Sequence, residues 1–569
     1  MNGLQQDLDQ HLTGPLSTAW MAEVDRRIGA QAARLCDLDA AIGDGDHGTI
    51  MAAGASAAAQ GARSAAAPGA GSVLTAAAAA FGSAAGGAGG ILFSTFLRGM
   101  AEEIGDRETV PLRDLAAAIA AGVAAVRSRG RADPGDKTMV DALLPAAQTL
   151  QLAAAQHRPT GEALRLAAAA AASGRDATIG LVARRGRASY LGERSAHHLD
   201  PGAASATILL QALADTAQPA PQAHSALTAP PERRKTMPTP RQLINRPDDV
   251  ISEALEGLAA TYPGLLSLDA GSSLISRRAP AKDKVGLVSG GGSGHEPLHA
   301  GFVGTGMLDV AVAGAVFASP TAQQVQAGTA LADSGRGVLQ IVKNYTGDVL
   351  NFQIAAELAE DEGIQVDSVL VDDDLASDKQ GVGPGRRGTA AVVTVEKICG
   401  ALAEQGADLA AVAAAGREVV TRSRSLALAL DGCTHPGSST PAFTLGPQEV
   451  EFGVGIHGER GTGRIPFAPA DELADQLIAP LVQDLSLRRG QCVIAIVNGL
   501  GGAYPLELSI LARRVHHHLD TLGVTVARSL VGSYVTSLDM HGASLTLTVA
   551  DDDLVAAWDA PVRTPHLTW

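Results

Sequence analysis

The sequence predicts two folded parts, an all-α bundle over residues 1–215 and an α/β domain over 242–569. Three observations predict them. At 569 residues the chain exceeds what one hydrophobic core organises. Its texture changes from long Ala/Leu segments to alternating short apolar strands and helical stretches. Between the two lies a proline- and alanine-rich stretch, 216–241, with mixed polarity and no periodicity, which reads as a linker.

In the first part, helical segments are expected at 15–60, 70–104, 111–128, 138–156, 160–174 and 202–215, with few β-branched clusters between them. Asp39, Asp44 and Asp46 fall within eight residues around glycines. Asp39 should end a helix, and the glycines should turn Asp44 and Asp46 back toward it. Three converging carboxylates repel one another unless a hard cation lies between them, and oxygen-only ligation favours Mg²⁺ or Ca²⁺ over zinc. A solvated acidic turn is the structural alternative. Gly86-Gly-Ala-Gly-Gly90 leads into Ile91-Leu-Phe, so its backbone N–H groups suit phosphate, or it is a flexible hinge. Arg184-Arg-Gly-Arg187 is either a surface basic patch or, through Arg187, a polyphosphate clamp. Asp200-Pro-Gly202 reads as a tight turn.

In the second part, strands are expected at 285–288, 308–312, 337–342, 368–371, 492–497, 525–530 and 544–549, paired mostly in parallel, with a helix at 320–332. The first strand should end in a glycine loop, Ser289-Gly-Gly-Gly-Ser-Gly-His295-Glu-Pro297. Loops at strand carboxyl ends are where α/β folds bind ligands, and Lys343-Asn-Tyr-Thr-Gly-Asp348 should occupy another. Gly455-Ile-His457-Gly supplies a second glycine-framed histidine. A lone histidine is usually structural; two of them with a strand-end aspartate fit acid–base or covalent chemistry at a carbonyl. His516-His-His518 reads as part of an exposed helix rather than a metal site.

Composition narrows the function. A net charge of −16 and 3% aromatic residues argue against nucleic-acid binding. The four cysteines are scattered, with no Cys-x-x-Cys pair, which fits a reducing compartment. The polar first residues lack a secretory pattern, and the apolar run at 115–126 is too short to span a bilayer. A cytoplasmic protein without membrane partners is expected.

With these residues in hand, the chain resembles the dihydroxyacetone kinase family. The nucleotide-binding (L-type) module is recognisable from Asp39 through Gly48, the glycine loop, Gly135-Asp-Lys-Thr-Met139 and Arg185 through Arg194. The substrate-binding (K-type) module is recognisable from Leu243 through Asp249, the His295 and His457 motifs, Lys343 through Asp348, and Asn498-Gly-Leu-Gly-Gly502. The resemblance implies an eight-helix barrel for the first module, with ATP as co-substrate and two Mg²⁺ ions on Asp39, Asp44 and Asp46. It implies nucleotide contacts from His47, Gly48, Thr49, Ile50, Ala88, Gly89, Gly130, Met139, Arg187, Asp200, Pro201 and Gly202. In the second module it implies a ketose lined by Gly292, Ser293, Gly294, His295 and Lys343. The resemblance further implies that this ketose is held as a hemiaminal on His457 and that its terminal hydroxyl is deprotonated by Asp348 with help from His295.

Two departures stand out. Many relatives place the K-type module first, whereas here the L-type module leads. Where some carry Ser or Thr in the glycine loop, this chain has Ala88 and Gly89. The expected reaction is phosphorylation of the terminal hydroxyl of dihydroxyacetone or of a tetrulose such as D- or L-erythrulose. FMN cyclase activity on FAD and a non-catalytic ketose sensor are the alternatives, and the resemblance also implies a homodimer.

Overall fold

The computed structural model describes residues 11–43, 45–217, 242–280, 282–378 and 385–569. The chain divides into two compact units, Met1–Pro238 and Thr239–Trp569. The expected linker lies, from residue 218 on, outside the described residues. Among the described residues no helix is long and apolar enough to cross a membrane.

Among the described residues the first unit is a ring of eight helices. They are α1 (Gly14–Ala40), α2 (His47–Arg63), α3 (Ala70–Ala84), α4 (Gly87–Ile104), α5 (Leu112–Gly130), α6 (Val140–Ala155), α7 (Thr160–Ala177) and α8 (Pro201–Thr216). Each packs on the next and α8 packs back on α1. The Trp20 indole N–H donates to the Leu209 carbonyl at 2.9 Å across that closure. A small pair, β1 (Leu12–Thr13) and β2 (Thr109–Val110), runs antiparallel beside the ring. The alanine-rich composition allows close helix approach: a Cβ on Gly48 would strike the Ala32 carbonyl. The two longest expected helical segments are each broken. In the first, α1 ends at Ala40 and α2 begins at His47; in the second, Ala85 and Gly86, both extended, make the break. The Asp200 segment is a helix start, not a tight turn. The Asp200 carboxylate accepts the Ala203 N–H at 2.6 Å and Pro201 takes the first helical position, an arrangement that satisfies the open N–H groups of α8.

Among the described residues the second unit holds two six-stranded sheets. The first has the order β3-β4-β6-β5-β7-β8, built from β3 (Leu266–Asp269), β4 (Leu274–Arg277), β5 (Gly286–Ser293), β6 (Val310–Val316), β7 (Val338–Lys343) and β8 (Val366–Val371). Its β6, β5, β7 and β8 are parallel, while β3 and β4 add an antiparallel edge. Helices α9 (Val250–Thr261), α10 (Ala322–Ala332), α11 (Thr346–Asp361), α12 (Ala391–Glu404) and α13 (Leu409–Thr421) pack around it.

The second sheet has β9 (Ser423–Ala429), β10 (Glu449–Phe452), β11 (Gly463–Pro466), β12 (Cys492–Gly499), β13 (Thr525–Gly532) and β14 (Gly542–Ala550) in the order β11-β10-β9-β14-β12-β13. Only β12 and β13 pair in parallel; the rest is antiparallel, so the expectation of mostly parallel pairing fails here. Helices α14 (Ala470–Asp484), α15 (Pro505–Thr521) and α16 (Asp552–Asp559) complete the unit. The triple histidine lies on α15, where His518 Nδ1 sits 2.7 Å from an Asp475 carboxylate that Arg514 also binds. All four cysteines are free thiols.

Candidate active site

In the helical unit the expected nucleotide residues gather at helix ends. His47–Ile50 form the first turn of α2, Ala88 and Gly89 that of α4, and Met139 precedes α6. Asp200 caps α8, Pro201 and Gly202 open it, and Gly130 closes α5. Neighbouring helices joined by short connections run antiparallel, so α2, α4, α6 and α8 start at one end of the ring. Contacts confirm that end. His47 Nε2 lies 2.7 Å from Ser205 Oγ on α8, and a Cβ on Gly89 would lie 3.6 Å from the His47 ring. A Cβ on Gly202 would lie 3.5 Å from the Met139 nitrogen. No side chain caps α4 among the described residues, so its first N–H groups and its positive dipole end suit a phosphate. Arg187 opens the 3-10 segment Arg187–Ser195, and its guanidinium lies 3.5 Å from Asp46 Oδ2.

The acidic residues fit a divalent cation. Asp39 Oδ2 accepts the backbone N–H groups of Gly45, Asp46 and His47 at 2.9, 3.1 and 3.3 Å. It thus ties down the turn rather than simply pointing away from it. Asp46 Oδ2 is sealed from solvent with no hydrogen bond among the described residues. Burial, and then repulsion from Asp39, push the Asp46 carboxyl well above the usual range. A buried hard oxygen beside a second carboxylate is the setting a divalent cation relieves. Asp44 lies outside the described residues, and among those residues no three ligating side chains converge. Burial holds His47 neutral by lowering its pKa. Lys137 is buried too, but its ammonium donates to the carbonyls of Thr178, Leu181 and His198 and is committed to structure.

In the α/β unit the glycine run is strand, not loop: β5 extends through Ser293. Glycines stand there because neighbouring backbone and side chains come close. A Cβ on Gly290 would lie 2.5 Å from the Val312 carbonyl oxygen, and one on Gly292 2.5 Å from the Phe317 carbonyl carbon. A Cβ on Gly291 would overlap the Lys343 ammonium and lie 3.4 Å from Asp348 Oδ2.

His295 follows directly on Gly294. Its Nδ1 lies 2.8 Å from the Thr536 carbonyl, and its ring stacks on Phe317 at 5.2 Å. Its ring also meets His457 edge to face at 4.8 Å. His457 also meets the ring of Tyr345 at 4.2 Å. Tyr345 lies between Lys343, at the end of β7, and Asp348, in the first turn of α11. Lys343 Nζ stands 3.8 Å from Asp348 Oδ2 and donates to the Gly290 carbonyl at 3.2 Å. Lys343 and His295 are fully buried, and Asp348 and His457 are 2% exposed. Burial lowers the Lys343 pKa, opposed by Asp348 and Glu396. A cleft runs between α9 and the Gly291–Ser293 stretch and reaches His299, lined largely by apolar residues such as Leu258 and Leu298.

The backbone of His457 has its own support, which sequence reasoning missed. Its N–H donates to Glu459 Oε2 at 2.8 Å, while Glu459 Oε1 accepts from Arg387 at 3.0 Å. Arg387 is buried and also binds the Asp374 carboxylate at 2.6 Å and the Gly453 carbonyl at 2.9 Å. Despite its burial, the Arg387 guanidinium is held charged by these acids.

The sequence matches the Dak1 domain over residues 256–566 and the DAK2 domain over 41–215. The chain belongs to the dihydroxyacetone kinase family. It is 43% identical over 354 residues to the dihydroxyacetone-binding subunit DhaK of the PEP-dependent dihydroxyacetone kinase of Escherichia coli, spanning 58% of this chain and 99% of that protein. It is 42% identical over 330 residues to the human triokinase/FMN cyclase, covering 57% of each chain. Among solved structures it is similar to the C. freundii dihydroxyacetone kinase in complex with AMP-PNP and Mg²⁺. That match has a TM-score of 0.54 and 33% identity over 58% of this chain and 61% of that one. In this family the helical unit is the DAK2 part and the α/β unit the Dak1 part.

Proposed function

We propose that this protein is an ATP-dependent kinase that phosphorylates the terminal hydroxyl of a short-chain ketose, dihydroxyacetone or a tetrulose such as D- or L-erythrulose. The observation that carries the reading is the buried meeting of His457 with His295 and Tyr345, on the turn that bears Lys343 and Asp348. In the proposed reaction the unprotonated ring nitrogen of neutral His457 attacks the ketone carbon, the carbonyl π pair goes to oxygen, and the proton of the other ring nitrogen is given up as the oxygen takes one from solvent, giving a neutral hemiaminal. Such an adduct accounts for selectivity, because a small polyol offers little apolar surface and glycerol has no carbonyl. The adduct presents its terminal hydroxyl to Asp348, which takes the proton with His295 assisting. The oxygen then attacks the γ-phosphorus and ADP leaves.

On the nucleotide side, Asp39, Asp44 and Asp46 would hold Mg²⁺, which neutralises charge on the transferring phosphoryl group. The first-turn N–H groups of α2 and α4 and the Arg187 guanidinium would bind phosphate. Backbone N–H groups at Ala88 and Gly89 stand in for the hydroxyls this chain lacks.

The test is ADP release from Mg-ATP with dihydroxyacetone, glyceraldehyde, D- and L-erythrulose and glycerol. Turnover of a C3 or C4 ketose, none with glycerol, and loss of ketose binding in His457→Ala are expected. Absence of ADP with every sugar overturns the reading. The human relative's double name makes FAD the second substrate to try: cyclic FMN release that survives His457→Ala would assign that activity to the helical unit.

A further inference from the structure

Behind Lys343 runs a chain of buried polar side chains to which the proposed reaction assigns no part. Lys343 Nζ lies 2.8 Å from His299 Nε2. His299 Nδ1 lies 2.7 Å from Glu396 Oε1, on α12, and 3.0 Å from Ser289 Oγ, on β5. Ser289 spends its own proton on the Ile341 carbonyl at 2.8 Å. An ammonium has donors only, so His299 Nε2 must accept from Lys343, and Nδ1 must carry the proton and give it to Glu396. All four side chains are buried. With Lys343 charged, these contacts leave one neutral tautomer, protonated on Nδ1, and one direction of hydrogen bonding from Lys343 to Glu396.

We propose that His299 and Glu396 are positioning residues that hold the Lys343 ammonium between His299 and Asp348, so that Asp348 shares the cation instead of owning it. The inference rests on the kinase reading for its kinetic consequence but not for its structural one. A carboxylate that owns an ammonium outright is a weak base; one that shares it takes a proton from the sugar hydroxyl more readily. The groups that face this chain are Asp348 from α11, His295 from the segment after β5, and Cys399 on α12 beside Glu396. Burial, then Lys343 and His295, push the His299 pKa well below its ordinary value, in keeping with the neutral tautomer. Burial raises Glu396 to about 8, with Lys343 opposing.

Two measurements on the full chain test this. In protein labelled with ¹⁵N-histidine, the His299 signal, assigned by its loss in His299→Gln, should report a neutral ring protonated on Nδ1 between pH 6 and 8. The Nε2-protonated tautomer or an imidazolium there overturns the proposal, whether or not the protein phosphorylates ketoses. In the kinetic arm, His299→Leu should lower kcat for the best ketose roughly 10- to 100-fold, a range set by the loss of one charge-assisted contact, and change KM less than about 3-fold. It should also move the acidic limb of the rate to lower pH, because Asp348 is then the one side chain left to share the Lys343 ammonium with the Gly290 carbonyl. Glu396→Gln, whose amide oxygen still accepts from Nδ1, should restore kcat to within about 3-fold of the native value at pH 7, and Glu396→Leu should not. A rate loss with an unmoved acidic limb, or an unchanged rate in both leucine variants, overturns the proposal. If the native protein turns over no ketose, the kinase reading fails and the tautomer measurement still decides the inference.

Discussion

Glu459→Gln isolates the support of His457 from its chemistry. The Glu459 carboxylate uses one oxygen for the His457 N–H and the other for Arg387. Glutamine has a single acceptor oxygen. If it keeps Arg387, its amide N–H₂ faces the His457 N–H, donor against donor; if it keeps His457, it confronts the Arg387 guanidinium. One charge-assisted hydrogen bond is lost either way, worth about 1.5–3 kcal/mol. Arg387 retains Asp374 and the Gly453 carbonyl, so the fold should survive. The loss then falls on the placement of the His457 ring, where a shift of about 1 Å can cost on the order of 100-fold in rate. We expect kcat/KM for the preferred ketose to fall about 10- to 150-fold, with ketose affinity by calorimetry falling in step. Circular dichroism should be unchanged. Native kcat/KM and affinity in a folded Glu459→Gln would refute the claim that this contact positions His457.

Three further outcomes follow from the same geometry. Gly291→Ala puts a methyl into the Lys343 ammonium, and a fully buried lysine has little room to yield. Turnover should drop about 100-fold or more while stability falls only about 1–3 kcal/mol, read by ADP release and by denaturant unfolding. Asp46→Asn relieves the repulsion between Asp46 and Asp39 at an oxygen sealed from solvent and weakens only a 3.5 Å contact with Arg187, so the metal-free protein should melt higher than the native one while Mg-ATP turnover is lost. Asp200 is raised by burial from 3.8 to about 7. Between those values the unfolded chain has lost the proton and the native one keeps it, so stability present below about pH 4 is lost as pH rises through about 7. In Asp200→Asn, which still caps α8, amide exchange in that helix should lose this pH dependence.

The residues proposed to bear chemistry each carry a local mark in the sequence: glycine beside histidine, aspartate beside glycine, a charged residue at the end of an apolar run. What surrounds them was less legible. The glycines at 290–292 suggest a loop in the sequence, yet they are strand residues selected by the approach of Val312, Phe317 and Lys343 from distant segments. The direction of pairing in the second sheet leaves no trace in a buried run such as Cys492–Gly499, which reads the same whichever way its neighbour points. Ser205, the neighbour of His47, has no signal beyond being a polar residue in an apolar helix. Glu396 and His299 did have one. Glu396-Lys397 interrupts the apolar course of α12, and His299 follows His295 by four residues in the same motif. A charge in so apolar a helix must be paired, although its partner could not be named before the fold brought them together.

The two units also treat buried charge in opposite ways, and the difference matches what each is proposed to bind. In the α/β unit the named buried acids and bases are matched within the chain: Lys343 with Asp348, Arg387 with Asp374 and Glu459, Glu396 with a neutral His299. Such a site offers hydrogen bonds and a nucleophile while its charged side chains already have partners in the chain, which suits an uncharged polyol. In the helical unit Asp39, Asp46 and Asp200 crowd together, Lys137 has given its protons to three carbonyls, and Arg187 reaches Asp46 only at 3.5 Å. That site is short of positive charge while the N-termini of α2 and α4 point partial positive charge at the same end of the ring. A divalent cation bound together with a polyphosphate satisfies both features at once, the cation meeting the acids and the phosphates meeting the helix ends. Neither ligand alone would do so, and this is the physical reason to expect nucleotide affinity to depend steeply on the metal.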